Sequence, residues 1–197
     1  MEPVKPKSAQ RPLLFAFGLG LGLLFGFGAG VLSVGAAREF FGRVLQDEAN
    51  ADEKHPQKLS RPAFELEYPG NWQIKTTDAD YDPDHLFSIE SPDQSFAMFI
   101  IAESELDPQV SVDAQVGAQT SKVMHDAVQK PFDRWGGHPG VGMLLTGKHL
   151  GLAAGTIRIF AFHEGERTFT LLESTYDDDR SKVAPGFALI ERTFKVR

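Results

Sequence analysis

Apolar and polar positions alternate along this chain with different periods in different stretches, and each period predicts a conformation. Phe64, Leu66 and Tyr68 alternate with Glu65 and Glu67, the period of two expected of a strand with one buried face. Tyr68-Pro69-Gly70-Asn71 follows with Pro and then Gly in the order a type II turn uses, and Trp72 and Ile74 resume an apolar face. In 95–102 and 156–162 both alternating sets are apolar: Phe96, Met98 and Ile100 against Phe99 and Ile101, then Ile157, Ile159 and Ala161 against Phe160 and Phe162. Such strands lose water from both faces, so their sheet needs a covering layer above and below. A short strand at 86–89 joins the 95–102 run through Ser91-Pro92-Asp93, and Glu164-Gly165-Glu166 turns the 156–162 run into 168–176. Both pairs are expected to be antiparallel hairpins.

Helical spacing occurs in two places. The first stretch is expected to run from a Ser111 cap to about Gln129, with Val112, Val116, Val123 and Ala127 on one face, Met124 and Val128 beside it, and Pro131 ending it. The second follows Asp177-Asp178-Asp179, whose charges suit a helix N-terminus, and carries Val183, Phe187, Ile190 and Phe194. The element order is strands, helix, strands, helix, which predicts one α+β domain over 63–197.

Upstream the pattern is of another kind. Pro12 to Ala37 is a run of 26 residues without a charge, all apolar or Gly except Pro12 and Ser33. As a helix it would extend about 39 Å, enough to cross the roughly 30 Å hydrocarbon core with tilt. A transmembrane anchor is therefore expected over 12–37, behind a basic tail at 1–11. A cleaved secretory signal is the rival reading, because Val34-Gly35-Ala36 resembles a signal peptidase site, although the apolar region exceeds the usual length of about 7 to 15 residues. Lys5, Lys7 and Arg11 before the segment outnumber Arg38 and Arg43 after it, which favours a cytoplasmic N-terminus and an extracytoplasmic C-terminal domain. Gly18, Gly22, Gly26 and Gly30 recur at every fourth residue, a stripe that allows close approach of a second membrane helix and hence a helix-mediated homo- or hetero-oligomer. The competing explanation is that Gly is simply common in membrane helices. Residues 38–62 turn polar and are expected to form a stalk.

Composition removes several function classes. The 197 residues contain no cysteine, so disulfides, CxxC sites and thiol nucleophiles are excluded. The formal charge of −7 argues against a nucleic-acid partner, since that affinity rests on Lys and Arg neutralising phosphates.

The stretch Phe64 to Trp72 with its Tyr-Pro-x-x-Trp, the following hairpins, the Gly-rich return into 141–148, and the closing Phe187-Ala188-Leu189-Ile190-Glu191-Arg192-Thr193-Phe194 resemble the PsbP-like superfamily over about residues 62–197. That superfamily includes photosystem II extrinsic subunits, a Ran-binding nuclear import factor and small anchored or lipidated bacterial envelope proteins. The resemblance implies a three-layer α/β/α sandwich with a mainly antiparallel sheet, used for docking to a protein partner rather than for chemistry. With the apolar segment it implies a single-pass protein of the bacterial inner membrane. Having no Cys, the chain has no lipobox and would be held by its helix.

Candidate chemistry is sparse. Asp78, Asp80, Asp82 and Asp84 alternate as in the opening of a calcium loop, but Pro83 stands where the loop needs Gly and Ile89 where it needs a bidentate Glu, so a solvated acidic loop is the stronger reading. Six histidines are scattered without HExxH or another ligand spacing, and no cofactor is expected. The loop Trp135-Gly136-Gly137-His138-Pro139-Gly140 is the best candidate for partner binding: its glycines permit close backbone approach and Trp135 could stack on a partner. The competing reading packs Trp135 inward. Non-enzymatic docking is thus the leading expectation. A small-ligand or metal-binding module is the alternative, and a hydrolase with a triad assembled from distant residues trails behind it.

Overall fold

The computed structural model describes residues 50–197. Its elements are β1 (Gln57–Ser60), β2 (Phe64–Tyr68), β3 (Gln73–Ile74), β4 (Leu86–Glu90), β5 (Phe96–Ala102), α1 (Pro108–Lys122), β6 (Val128–Trp135), β7 (His138–His149), β8 (Ala153–Glu164), β9 (Arg167–Tyr176), α2 (Arg180–Thr193) and β10 (Lys195–Val196). Seven strands form one sheet in the order β3-β4-β5-β9-β8-β7-β6, and β1-β2-β10 form a second, smaller sheet. Every strand pair is antiparallel.

The doubly apolar runs occupy the middle of the large sheet. Phe99 and Ile101 of β5, Phe160 and Phe162 of β8 and Phe169 and Leu171 of β9 join one core with Val183, Phe187 and Ile190 of α2 and with Phe64 and Leu66 of the small sheet. Met98, Ile157, Ile159 and Leu172 point to the opposite face, into a second core with Val112 of α1. The sheet is thus covered by α1 on one side and by α2 with the small sheet on the other. A stacked aromatic column fills the larger core: Phe64 lies 5.5 Å from Phe87 and 5.7 Å from Phe194, ring to ring. The opening and closing sequence motifs meet there too. Trp72 packs edge-on to Phe187 at 5.1 Å, and a Cβ on Gly186 would sit 2.6 Å from the Trp72 ring.

Four sequence expectations need correction. The first helix spans 108–122 rather than 111–129, because Asp107 caps it by accepting the Gln109 N–H at 2.9 Å and Pro108 occupies its first turn. Residues 128–135, expected in part to continue that helix, form the edge strand β6, where Pro131 is tolerated because an edge strand has only one ladder to satisfy. At 68–71 the hydrogen bond runs from the Trp72 N–H to the Pro69 carbonyl, so Pro69 opens the turn and Gly70 has no positive φ. Gly70 is instead required by the His55 carbonyl, which occupies the space a Cβ would need. Finally, the folded body begins before residue 63. The Ala51 N–H donates to the Lys182 carbonyl at 3.0 Å, the Asp52 carbonyl accepts from Gly70 at 2.9 Å, and β1 pairs with β2. The expected anchor at 12–37, with Gly18, Gly22, Gly26 and Gly30, lies outside the described residues, and no described helix is long and apolar enough to cross a membrane.

Candidate functional site

Gly136 and Gly137 form a two-residue turn closing the β6–β7 hairpin, with Trp135 paired to His138. The candidate loop at 135–140 is thus the turn of a β hairpin and the start of β7. Gly136 takes φ +55°, the left-handed conformation such turns ask of their first central residue. It is also pressed against α2: a Cβ at this position would lie 2.5 Å from the Glu191 carbonyl oxygen.

An ionic network fixes the turn. Arg158 of β8 and Glu173 of β9 are direct cross-strand partners on the face covered by α2. The Arg158 Nη1 donates to Glu173 Oε2 at 2.8 Å and to Glu191 Oε2 at 3.2 Å. Trp135 Nε1–H donates to Glu173 Oε1 at 3.0 Å, and the Gly136 N–H donates to Glu191 Oε1 at 2.7 Å. All four carboxylate oxygens are therefore satisfied, as buried charge requires. The Phe132 ring, 5.3 Å from the guanidinium, covers Arg158 from β6.

Burial pushes the Glu173 carboxyl above the usual carboxylate range; Arg158 and the Trp135 hydrogen bond oppose that shift without cancelling it, and Glu191 adds to it. Burial alone would lower Arg158, but Glu173 and Glu191 outweigh it and hold the guanidinium charged. The cluster sets one guanidinium between two carboxyl groups, which it keeps apart as a shared donor.

Trp135 is buried, so it anchors the hairpin from within and offers no stacking face to a partner. What remains at the surface is the exposed Gly137 and Pro139, with half-buried His138 between them. His138 stacks on Phe162 at 4.4 Å, meets Phe194 edge-on at 5.7 Å, and holds Nδ1 3.5 Å from Glu164 Oε2. This corner can present a fixed backbone shape with an imidazole and a carboxylate beside it.

The acidic loop is organised by its own hydrogen bonds. Asp82 Oδ1 accepts from the Asp84 N–H at 2.9 Å and the His85 N–H at 3.2 Å, while Oδ2 meets His85 Nδ1 at 3.1 Å. Partial burial pushes the Asp82 carboxyl up, but these donors outweigh it and hold it below the ordinary range. Asp78 faces Lys75 at 3.7 Å. Beside Asp78 and Asp80 is a depression of about 10 Å³, room for about one water. Among the described residues no group of three or more His, Asp or Glu side chains is placed to hold a metal ion.

Arg158, Glu173 and Glu191 escaped the sequence reading. Their signal was present as single charges inside apolar runs, Ile157-Arg158-Ile159 and Leu171-Leu172-Glu173.

No protein-family model matches the chain, and no curated protein matches it closely. Solved structures with a similar arrangement include LpqN of Mycobacterium tuberculosis, described as involved in cell envelope biogenesis, at 13% identity and TM-score 0.47, covering 72% of this chain and 90% of that one. They also include the cyanobacterial PsbP of Synechocystis sp. PCC 6803 at 13% identity and TM-score 0.44, covering 78% and 97%. A protein of Bacteroides thetaiotaomicron VPI-5482 matches at 13% identity and TM-score 0.43, covering 76% of this chain and 49% of its own.

Proposed function

We propose that this chain is a membrane-anchored docking module without catalytic chemistry, whose globular domain stands outside the cytoplasm and binds a protein partner through the Gly137-His138-Pro139 corner. The observation that carries the reading is the fixation of Gly136: its N–H, its left-handed backbone and its contact with Glu191 leave the turn one position on α2. A surface held in one conformation loses little entropy when a partner binds, which is what a recognition site gains from rigidity. The uncharged run 12–37 supplies the anchor, and its Gly stripe supplies a face for pairing with a second membrane helix.

The test is photocrosslinking in intact cells. A crosslinking amino acid at Pro139 is expected to capture a defined protein, whereas the same group at Asp113 on α1, which covers the other face of the sheet, is not. Capture from Asp113 alone, or domain residues protected from protease in spheroplasts, refutes the assignment.

A further inference from the structure

His149 ends β7 and is only 7% exposed, although it is next to the exposed tip that joins β7 to β8. Its Nε2 has no hydrogen-bond partner among the described residues. The ring lies 4.8 Å from that of Tyr176, and a Cβ on Gly155 would fall 2.6 Å from Nε2, so only glycine leaves room for this nitrogen against the β8 backbone. The tip itself is bent through two left-handed residues, Leu150 at φ +51° and Gly151 at φ +73°. For Leu, which has a Cβ, that conformation is disfavoured and must be held by its surroundings. Two hydrogen bonds close the tip on itself, from the Gly151 N–H to the Lys148 carbonyl at 3.4 Å and from the Leu152 N–H to the His149 carbonyl at 2.9 Å, and two tie it to its neighbours: the Leu150 N–H donates to the Val123 carbonyl at the end of α1 at 2.6 Å, and the Asp177 N–H donates to the Ala154 carbonyl at 2.9 Å.

We propose that His149 makes the β7–β8 tip an acid-released latch, in which the neutral imidazole keeps residues 149–155 docked and protonation lets them open. A neutral ring can leave one nitrogen without a partner at modest cost, but an imidazolium must donate from both. From the strand side it is faced by Tyr176 and, just beyond, Asp177; Asp179 acts on Tyr176. β8 contributes the uncharged Gly155, and Lys148 precedes His149 on β7 itself. The end of α1 brings Lys122 and the loop that follows it His125 and Asp126, both exposed. Among the described residues Asp177 is the one anion drawing a proton toward the ring, and its carboxylate already accepts from Arg180 at 2.6 Å. Burial holds the His149 ring below the ordinary histidine range, with Asp177 opposing weakly. Tyr176 stays neutral across the range concerned, because burial and Asp179 raise it. The folded tip therefore binds fewer protons than the opened one. Its closure is complete above about pH 6.5 and weakens as pH falls from there toward the depressed value of the docked ring.

The experiment is hydrogen exchange by mass spectrometry on the full chain in lipid nanodiscs between pH 7.5 and 5.0, corrected for the intrinsic pH dependence of exchange. Opening of residues 150–155 is expected to rise by up to about tenfold per pH unit below about 6.5, while β4 and β5 remain protected. His149→Phe is expected to abolish this pH dependence and His125→Gln to preserve it. Wild-type protection that does not change with pH, or an unchanged acid response in His149→Phe, overturns the proposal. If His149→Phe fails to fold, the His149 ring resonances of the wild type decide: titration at an ordinary histidine value with the tip still protected overturns it equally.

Discussion

Replacing Arg158 with Met removes the cation of the buried network while keeping most of its aliphatic bulk. Glu173, with a side chain 7% exposed, then retains the Trp135 hydrogen bond and loses its charge partner, and Glu191 loses one of two donors. Breaking a buried pair on one side costs about 3–5 kcal/mol, because the remaining charge stays desolvated. Arg158 is 34% exposed, so water can reach the vacated position and the cost falls at the lower end, about 3 kcal/mol. Against a domain stability of about 5–15 kcal/mol that is a large fraction. Urea unfolding of a chain lacking the N-terminal apolar segment, followed by Trp135 and Trp72 fluorescence, measures it. The double variant Arg158→Met/Glu173→Leu is expected to recover at least about 1.5 kcal/mol of the sum of the single losses, since it removes both charges together. The Arg158→Met deficit is also expected to shrink on acidification, where Glu173 takes up a proton and no longer needs a cation. A loss under about 1 kcal/mol, or strictly additive single losses, would refute the view that these groups act as one buried unit.

Three further outcomes follow from the same geometry. Gly136→Ala is expected to cost clearly more than Gly151→Ala in the same unfolding assay: both have positive φ, but only at Gly136 does a Cβ meet backbone, whereas around Gly151 there is open space. Asp107→Ala is expected to lower stability by about 1 kcal/mol and Ser111→Ala by a few tenths, because the capping carboxylate belongs to Asp107. Glu173→Gln is expected to change the pH profile in a defined direction. A carboxyl raised in the folded state gives stability that is complete below the unfolded value of about 4.3 and declines as pH rises through the folded one. The Gln variant loses that decline, so the gap between its stability and the wild type's should vary across this range; parallel profiles would remove Glu173 as a titrating group.

The strands that lose water on both faces could be read from the chain because burial on two sides leaves no alternation to misinterpret, as in Ile157 to Phe162. The hairpin joining β8 to β9 was readable through Gly165, and extending its ladder from Glu164 opposite Arg167 places Arg158 opposite Glu173. Half of the network was thus implicit in one turn. The other half was not, because Glu191 reaches Arg158 and Gly136 only after α2 docks on the sheet, and no local pattern encodes that docking. β6 was hidden for a different reason. Val123, Ala127 and Val128 fit helical spacing, and Pro131 with Lys130, Asp133 and Arg134 is what a solvent-facing edge strand uses to discourage further pairing. Edge strands therefore carry the weakest strand signal.

The layer above the large sheet links the entry of the folded domain to the proposed docking corner. The chain comes in along α2: the Ala51 N–H bonds to the Lys182 carbonyl, and Glu53 pairs with Arg192 at 3.1 Å. Glu191, the neighbour of Arg192, holds the Gly136 turn. Entry and corner are thus referenced to one helix, over a rise of about 14 Å from Lys182 to Glu191 at 1.5 Å per residue. The closing motif is fixed on the opening one through Trp72 on Phe187 and Phe64 beside Phe194, so this helix cannot shift without disturbing the aromatic column. Under the proposed function, a tether attached at one end of such an element would set the height and heading of whatever its other end presents. That coupling gives the buried Arg158 cluster a role that an apolar core of equal volume would lack: it ties an edge hairpin to the same reference.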